Sequence, residues 1–184
     1  MIIYIHGFSG SGEGVKARAF REYFKNQGDS YIAPSLSYVP DLTIKTLEEL
    51  IESYGRDVKL IGSSLGGFYS IYLANKYNLK AVLINPSIHP YVTLKQVLGS
   101  APSFYDDSSF TWTKSHIEML KKYETKVQNQ SDFMLLVQKG DELLDYKEAV
   151  AKLPDANIYA EDSGNHSFVG IDRYFDDIRS FFGL

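Results

Sequence analysis

Short apolar segments alternate with segments of helical periodicity along this chain, and this alternation restricts the fold more than any other feature of its sequence. The apolar segments are typical of strands in a buried sheet; they are residues 2–5, 31–33, 58–61, 81–84, 133–137 and 158–160. Between and after them, apolar residues repeat at helical spacing; these segments are 15–26, 44–54, 65–77 and, most clearly, 171–182. Strands that alternate with helices predict a parallel sheet covered by helices on both faces.

The segment between residues 87 and 131 interrupts this rhythm. It shows only weak helical patterns, near 92–98 and 114–123, and no convincing strand, although it carries several aromatic residues. A long excursion between two sheet strands is usually functional. We therefore expect a single domain over residues 1–184 with a cap insertion at about 87–131. The alternative is a surface insertion that only extends the fold.

Composition excludes several classes of function. The formal net charge is -4 and no run of Lys and Arg is dense enough to follow phosphates, so we expect no nucleic-acid partner. The chain has no cysteine, which excludes disulfides and thiolate metal ligands and fits a reducing compartment. The apolar start is too short for a signal peptide, and no segment approaches the length of a membrane span. These features predict a cytoplasmic protein with no membrane span.

A serine between two glycines stands where the strand at 58–61 meets the helix at 65–77, in the sequence Gly62-Ser63-Ser64-Leu65-Gly66. This pattern is typical of a nucleophile elbow, a sharp strand-to-helix turn that holds the serine in a strained conformation with Oγ exposed above the sheet edge. Glycines on either side leave room where a Cβ would collide. The following helix N-terminus favours a developing oxyanion. The alternative is a turn that caps the helix through Ser63 or Ser64.

A serine nucleophile needs an adjacent base, and the chain has four histidines. In folds with this elbow the acid and then the histidine follow the nucleophile along the chain. His166 lies in a polar loop between the last strand and the last helix, and parallel strands end at the same edge as the elbow. His166 is therefore the predicted general base. His6 precedes the serine and is expected to brace its own turn, and His89 and His116 lie in or beside the insertion, so we expect structural or pocket-lining roles for these three.

The acid that orients this histidine should end the strand that precedes the histidine's own strand. Asp141 follows the strand at 133–137 and meets that requirement. Its predicted task is to accept a hydrogen bond from the Nδ1–H of His166, which fixes the tautomer and stabilises the imidazolium. Glu142, Asp145 and Asp162 are alternatives, and Asp145, a few residues along the same loop, is the strongest of them.

The tetrahedral intermediate of acyl transfer needs two backbone donors. One is the N–H of Leu65, directly after the nucleophile, and the other comes from the turn after the first strand. That turn is His6-Gly7-Phe8, so the N–H of Phe8 is the second candidate. The alternative for this motif is an ordinary turn that ends a strand.

With these residues in place, the chain resembles the α/β-hydrolase superfamily over nearly its full length, and more narrowly the small bacterial esterases of the YqiA type. Five motifs in the same order carry the resemblance: Ile3-Tyr-Ile-His-Gly-Phe8, Gly62-Ser-Ser-Leu-Gly-Gly67, Asn85-Pro-Ser87, Gly140-Asp-Glu-Leu-Leu-Asp-Tyr146 and Gly164-Asn-His-Ser-Phe168. The resemblance implies hydrolysis of carboxylic esters, with acyl thioesters within the range of the family. It supports assigning the triad to Ser64, Asp141 and His166 and the oxyanion donors to Phe8 and Leu65.

The chain departs from the larger superfamily at its first strand, because most such hydrolases have one or two strands before the His-Gly turn. We therefore expect an α/β-hydrolase fold with a truncated, mostly parallel sheet of about six strands. A truncated sheet also predicts a shallower site, which argues against long, deeply buried substrates.

Three functions fit these residues. The first is a carboxylic-ester hydrolase that forms an acyl-enzyme on Ser64 and takes a small-molecule ester or thioester. The second is an amidase or peptidase with the same triad, and the third is a related fold that has lost catalysis and serves as a binding module. A lost activity usually leaves gaps in the triad, and none is visible here. No metal or organic cofactor is predicted, since the chain has no ligand spacing such as H-E-x-x-H.

Overall fold

The computed structural model describes the backbone of residues 1–184 and every side chain except that of Arg56. Eight strands are formed: β1 (Ile2–Ile5), β2 (Tyr31–Ile32), β3 (Lys59–Ser63), β4 (Ala81–Ile84), β5 (Gly99–Pro102), β6 (Ser109–Trp112), β7 (Phe133–Gln138) and β8 (Asn157–Glu161). The α-helices are α1 (Val15–Asn26), α2 (Pro40–Tyr54), α3 (Leu65–Tyr77), α4 (Pro90–Thr93), α5 (Lys114–Lys121), α6 (Tyr146–Lys152) and α7 (Phe175–Phe182).

Six of the strands form one sheet in the order β2-β1-β3-β4-β7-β8, and all of its pairings are parallel. The predicted fold class and sheet size are therefore confirmed. Each of the six apolar segments of the sequence coincides with one of these strands. Because all six strands run the same way, their carboxyl ends share one edge of the sheet, and the loops that carry the predicted site residues follow from that edge.

The two faces of the sheet are covered by different helices. Ile3 and Ile5 of β1 face a cluster that contains the buried residues of α2, α3, α5 and α6, whereas Ile2 and Tyr4 face a second cluster built from α1 and α7. This alternation is the two-residue period of a strand with both faces buried. The burial of both faces explains why the strands appear in the sequence as unbroken apolar segments.

The expectation of no strand between residues 87 and 131 is wrong, because β5 and β6 form an antiparallel hairpin within that segment. The strand Gly99–Pro102 has a sequence of low β propensity, and its pairing is stabilised by packing instead. Ala101 and Trp112 are each only 1 % exposed, and the indole Nε1–H of Trp112 donates to the carbonyl of Leu94 at 3.1 Å. The helical patterns of the segment correspond to α4, with the 3₁₀ turn that follows it, and to α5.

The last helical segment is divided in two. A 3₁₀ turn over Ile171–Tyr174 leads into α7, and the apolar stripe predicted there is buried through Phe175, Ile178 and Phe182. In the part of the chain that the structure describes, no helix combines the length and apolar character needed to cross a bilayer.

Candidate active site

Ser64 lies at the turn between β3 and α3 with φ 55° and ψ −119°. Such a conformation costs a non-glycine residue on the order of 1–3 kcal/mol and persists only where the surroundings enforce it. Its N–H donates to the carbonyl of Ile84 at 3.0 Å, and its carbonyl accepts from the N–H groups of Gly67 at 2.9 Å and Ser87 at 3.0 Å. Among the described residues, the side chain of Ser64 makes no capping hydrogen bond to α3. The hydroxyl of Ser64 is therefore not used to cap α3.

Two glycines allow the elbow to pack closely. A Cβ on Gly62 would lie 2.3 Å from the carbonyl oxygen of Gly66, and a Cβ on Gly66 would lie 2.0 Å from the carbonyl oxygen of Ile5. No neighbouring side chain can rotate to relieve these contacts with main-chain oxygens. Only glycine lets the first turn of α3 approach β1 and β3 this closely, and this approach fixes the position of Ser64.

The structure brings Ser64, His166 and Asp141 together. His166 Nε2 lies 3.1 Å from Ser64 Oγ, and its Nδ1 lies 2.8 Å from Asp141 Oδ2. The carboxylate side chain is 3 % exposed and the imidazole 21 % exposed. An ionised carboxylate only accepts hydrogen bonds, so Nδ1 carries the proton and Nε2 presents its lone pair to the serine hydroxyl. This is the arrangement in which an imidazole acts as general base toward a serine.

The hydrogen bonds around Asp141 keep its carboxylate ionised. Burial by itself raises the pKa of this group, but the bond from His166 and the N–H groups of Leu143 and Leu144 outweigh it, so the pKa of Asp141 lies below its ordinary value. Those two N–H groups donate to Oδ1 at 2.8 and 2.9 Å. The second oxygen is thereby left to the imidazole.

The three alternative acids have other partners. Asp145 caps α6, its Oδ1 accepting from the N–H of Lys147 at 3.0 Å. Glu142 accepts from the main-chain N–H of His166 at 3.0 Å, not from the ring, and Asp162 pairs with a lysine on the surface. Asp141 is the candidate carboxylate that contacts the imidazole.

The remaining histidines have structural contacts, as the sequence predicted. His6 donates from Nδ1 to the carbonyl of Gly7 at 2.8 Å and accepts at Nε2 from the N–H of Leu36 at 2.9 Å, and burial lowers its pKa. His116 belongs to the capping box that begins α5, and burial lowers its pKa as well. His89 lies 3.2 Å from a carboxylate oxygen of Glu148. His6 thus braces the turn that carries Gly7.

Two polar residues to which the sequence analysis assigned no role hold the loop of His166. Asn85 follows β4 with φ 40°, and its Nδ2 donates to the carbonyls of Asn165 at 2.9 Å and His166 at 3.3 Å. Gln138 ends β7 and is 1 % exposed, and its Oε1 accepts from the N–H groups of Asn165 at 3.1 Å and Val169 at 2.9 Å. The signal for both was a single amide residue at the end of a buried apolar strand.

A lysine that is distant from this loop in the sequence also supports it. Lys16 of α1 donates from Nζ to the carbonyl of Ser167 at 2.9 Å. Burial lowers the pKa of Lys16, and the nearby carboxylate of Asp141 opposes that shift. The loop is therefore fixed on both sides of His166 by contacts to its main chain.

The two predicted oxyanion donors lie beside the serine. A Cβ on Gly7 would be 3.1 Å from the Cβ of Ser64, so the turn after β1 packs directly against the serine. Phe8 and Leu65 line one cavity together with Ser64 and His166. Within the residues described by the structure, neither the N–H of Phe8 nor that of Leu65 has a hydrogen-bond acceptor. These two groups can therefore donate to a ligand oxygen.

The cavity beside Ser64 has a volume of about 640 Å³ and a mainly apolar lining. One wall comes from residues 90–104 and another from Leu143 and Leu144. A second cavity, of about 440 Å³, shares Phe8 and Leu65 with the first. For the side chains that are described, no group of three His, Asp or Glu residues could hold a metal ion.

Comparisons with known proteins place the chain in a family. The model of UPF0227, described as an uncharacterised protein family, matches residues 1–183. A UPF0227 protein of Vibrio cholerae is 26% identical over 186 residues, covering 98% of each chain, and one of Pectobacterium atrosepticum is 24% identical with the same coverage.

Solved structures show the same fold. Mouse alpha/beta hydrolase domain-containing protein 10 has a TM-score of 0.78 at 20% identity, covering 99% of this chain and 89% of that one. Est1E of Butyrivibrio proteoclasticus, solved with ferulic acid bound, has a TM-score of 0.75 at 12% identity and coverages of 98% and 86%. The monoacylglycerol lipase of Paleococcus ferrophilus has a TM-score of 0.72 at 16% identity and coverages of 98% and 93%. The chain belongs to the UPF0227 family, the YqiA type that its motifs indicated, and has the α/β-hydrolase fold.

Proposed function

We propose that this protein is a serine hydrolase that cleaves carboxylic esters through an acyl-enzyme on Ser64. One observation carries the proposal: an unbroken chain of hydrogen bonds runs from Ser64 Oγ through the imidazole of His166 to the buried carboxylate of Asp141. Two N–H groups without acceptors among the described residues, those of Phe8 and Leu65, lie at the same cavity. This combination of base-activated hydroxyl and paired donors is the machinery of acyl transfer.

Acylation begins when the hydroxyl of Ser64 attacks the ester carbonyl. As the Oγ–carbon bond forms, the hydroxyl proton passes to Nε2 of His166, and the ionised Asp141 stabilises the imidazolium. The carbonyl oxygen becomes an oxyanion that accepts from the N–H groups of Phe8 and Leu65. His166 then gives its proton to the departing alcohol oxygen, and the acyl group remains on Ser64.

Deacylation repeats these steps with water. His166 removes a proton from the water as its oxygen attacks the acyl carbon, and the second tetrahedral intermediate uses the same two N–H groups. Its collapse returns the proton from His166 to Ser64 Oγ and releases the carboxylic acid. A thioester enters the same acyl-enzyme, because only the leaving group differs, so acyl thioesters are within the proposed range.

The proposed substrate has an apolar part, because the cavity that contains Ser64 has a mainly apolar lining, and most of its lining residues belong to the 87–131 insertion. We therefore propose that this insertion is a cap within a single domain and that it binds the apolar group of the ester. Two of the similar structures, Est1E with ferulic acid and a monoacylglycerol lipase, are named for ester or lipid chemistry. Those names support the reaction class and leave the substrate open to assay.

A fluorophosphonate probe tests the nucleophile. We expect covalent labelling of the wild type and none of Ser64→Ala, since the probe reacts with an activated serine hydroxyl. Ser63→Ala is the matched control, because Ser63 precedes the nucleophile, ends β3 and is buried. Labelling of Ser64→Ala would mean that another residue is the nucleophile.

A substrate panel tests the reaction class. Wild type is compared on p-nitrophenyl butyrate, on a butyryl thioester and on butyryl p-nitroanilide, with Ser64→Ala as the blank. The proposal expects the ester to be hydrolysed faster than the anilide. A faster anilide identifies an amidase, and a folded wild type inert to the probe and to all three substrates identifies a binding module.

A further inference from the structure

The second cavity adjoins the residues of the two proposed oxyanion donors. It shares Phe8, Ser9, Leu65 and Ser100 with the cavity that contains Ser64. Under the proposed function, Phe8 and Leu65 hold the carbonyl oxygen. A substrate group that enters the second cavity therefore starts next to the ester bond, and the following inference rests on that proposed function.

The chemistry of the second cavity differs from that of the first. More than half of the residues that line it carry a hydroxyl group, and among the described residues its lining includes no Asp, Glu, Lys or Arg. Both nitrogens of its one imidazole, that of His6, are paired with main-chain groups, and burial lowers the pKa of that ring. The cavity is therefore polar and uncharged.

Two hydroxyls in its wall have no partner. Ser9 Oγ, in the wall that the two cavities share, is buried without a hydrogen-bond partner among the described residues. Tyr69, on α3, is 4 % exposed, and within the described part of the chain its hydroxyl also has none. Buried polar groups in native proteins are nearly always paired, so the buried Ser9 Oγ points to a ligand that pairs it, and the hydroxyl of Tyr69 is free to bind the same ligand.

The aromatic residues of the cavity suit the carbon skeleton of such a ligand. Phe8 and Phe110 meet edge to face with ring centroids 5.5 Å apart, and Tyr38 stacks on Phe110 at 4.4 Å. These rings present apolar faces beside hydroxyl groups. A polyol or sugar, with C–H and O–H groups on one framework, matches both kinds of contact.

We propose that the second cavity binds a neutral, hydroxyl-bearing part of the substrate, so that the preferred ester joins an apolar group to a small uncharged polyol or similar hydroxylated group. The apolar part occupies the larger cavity beside Ser64, and the hydroxylated part pairs with Tyr69 and Ser9. A phosphate or carboxylate is disfavoured there, because no cationic side chain among the described residues lines the cavity to offset its desolvation.

Two pairs of esters test the proposal and separate the two sides of the ester bond. On the alcohol side, 1-butyrylglycerol is compared with propyl butyrate, which lacks only its two additional hydroxyls. On the acyl side, methyl 3,4-dihydroxybutyrate is compared with methyl butyrate. We expect wild type to prefer the hydroxylated member of one pair in kcat/KM by about 10-fold.

Removal of one hydroxyl then reduces that preference. Tyr69→Phe should lower it by about 3- to 10-fold, the usual effect of one hydrogen bond. Tyr77→Phe is the matched control, because Tyr77 belongs to the same helix and its hydroxyl donates to Glu52 at 2.8 Å on the surface. The control should keep the full preference. Thermal unfolding and fluorophosphonate labelling establish that both variants are folded.

A preference for the hydroxylated ester that falls in Tyr69→Phe and persists in Tyr77→Phe supports the inference. Equal rates within both ester pairs, or an unchanged preference in Tyr69→Phe, overturn it while leaving ester hydrolysis intact. If no ester is cleaved, the proposed function fails. Binding of 1-O-butylglycerol, a stable ether, is then measured by calorimetry to test the ligand assigned to the second cavity without relying on hydrolysis. Weaker binding to Tyr69→Phe than to wild type supports the assignment, and equal or absent binding overturns it.

Discussion

Replacement of Gly66 by alanine tests whether the close packing of α3 on β1 holds the candidate site together. A Cβ at this position would lie 2.0 Å from the carbonyl oxygen of Ile5 and 2.8 Å from that of His6. Cβ atoms in proteins essentially never approach closer than 3.0 Å, so helix and strand must separate by roughly 1 Å. Both obstacles are main-chain atoms, and a rotation of side chains does not relieve them.

This separation acts on stability and on activity. Overpacking of this kind costs about 3 kcal/mol, which in a chain of 184 residues lowers Tm by about 6–12 °C. Ser64 begins the helix that moves and Phe8 follows the strand it moves from, so the nucleophile shifts relative to its proposed oxyanion donor. A misplacement of about 1 Å lowers kcat/KM by about 100-fold. Thermal unfolding and hydrolysis of p-nitrophenyl butyrate measure the two effects.

Gly14→Ala is the matched control. Gly14 precedes α1 with φ −63°, and an added Cβ would meet its nearest neighbour, the carbonyl oxygen of Ser11, at an ordinary 3.4 Å. We expect a loss of less than about 1 kcal/mol and an unchanged rate. If Gly66→Ala unfolds at the wild-type temperature and retains the wild-type kcat/KM, the close approach does not position the serine and the reasoning fails.

Three further predictions concern the acid and the loop of His166. Asp141→Asn should lower kcat by about 10,000-fold, because an amide at this position favours the wrong tautomer of His166. Asp145→Asn should keep the wild-type rate, since Asp145 only caps α6. Comparable losses in both variants would contradict the assignment of Asp141 as the acid. The pKa of Asp141 is lower in the folded protein than its unfolded value of about 3.9, so its carboxylate stabilises the fold above that pH and this contribution is lost as the pH falls through the folded pKa. Urea unfolding should therefore show the stability difference between wild type and Asp141→Asn shrinking toward acid, and a difference independent of pH would count against it. Gln138→Ala should lower the free energy of unfolding by about 3 kcal/mol and slow fluorophosphonate labelling, because the N–H groups of Asn165 and Val169 lose their acceptor. Labelling at the wild-type rate would show that other contacts hold the loop.

The sheet was predictable because its strands are buried on both faces. Such strands need apolar side chains at every position, and this requirement is visible without coordinates. The polar ends of β3 and β7 were not predicted. Ser63 and Gln138 continue these strands through main-chain pairing, and their polar side chains give no sequence signal for a buried strand. The hairpin of β5 and β6 was missed for a related reason. Its strands depend on packing of Ala101 and Trp112 against residues distant in sequence.

The candidate site was predictable as far as chain order determines it. A parallel sheet brings its carboxyl ends to one edge, so a serine after β3, an acid after β7 and a histidine after β8 were all expected at that edge. The choice of Asp141 over Asp145 followed from its position at the strand end. The roles of Asn85 and Lys16 depend on which main-chain atoms of a folded loop lie near them, and that information is absent from local sequence patterns.

The loop that carries His166 is held by hydrogen bonds to its main chain and by the buried side chain of Phe168. Lys16, Asn85 and Gln138 all hydrogen-bond to carbonyl or amide groups of residues 165–169. The side chain of the exposed Val169 can therefore vary without displacing the imidazole. Natural variation or design can therefore change the surface of this loop at Val169 while the geometry of Ser64, His166 and Asp141 is kept.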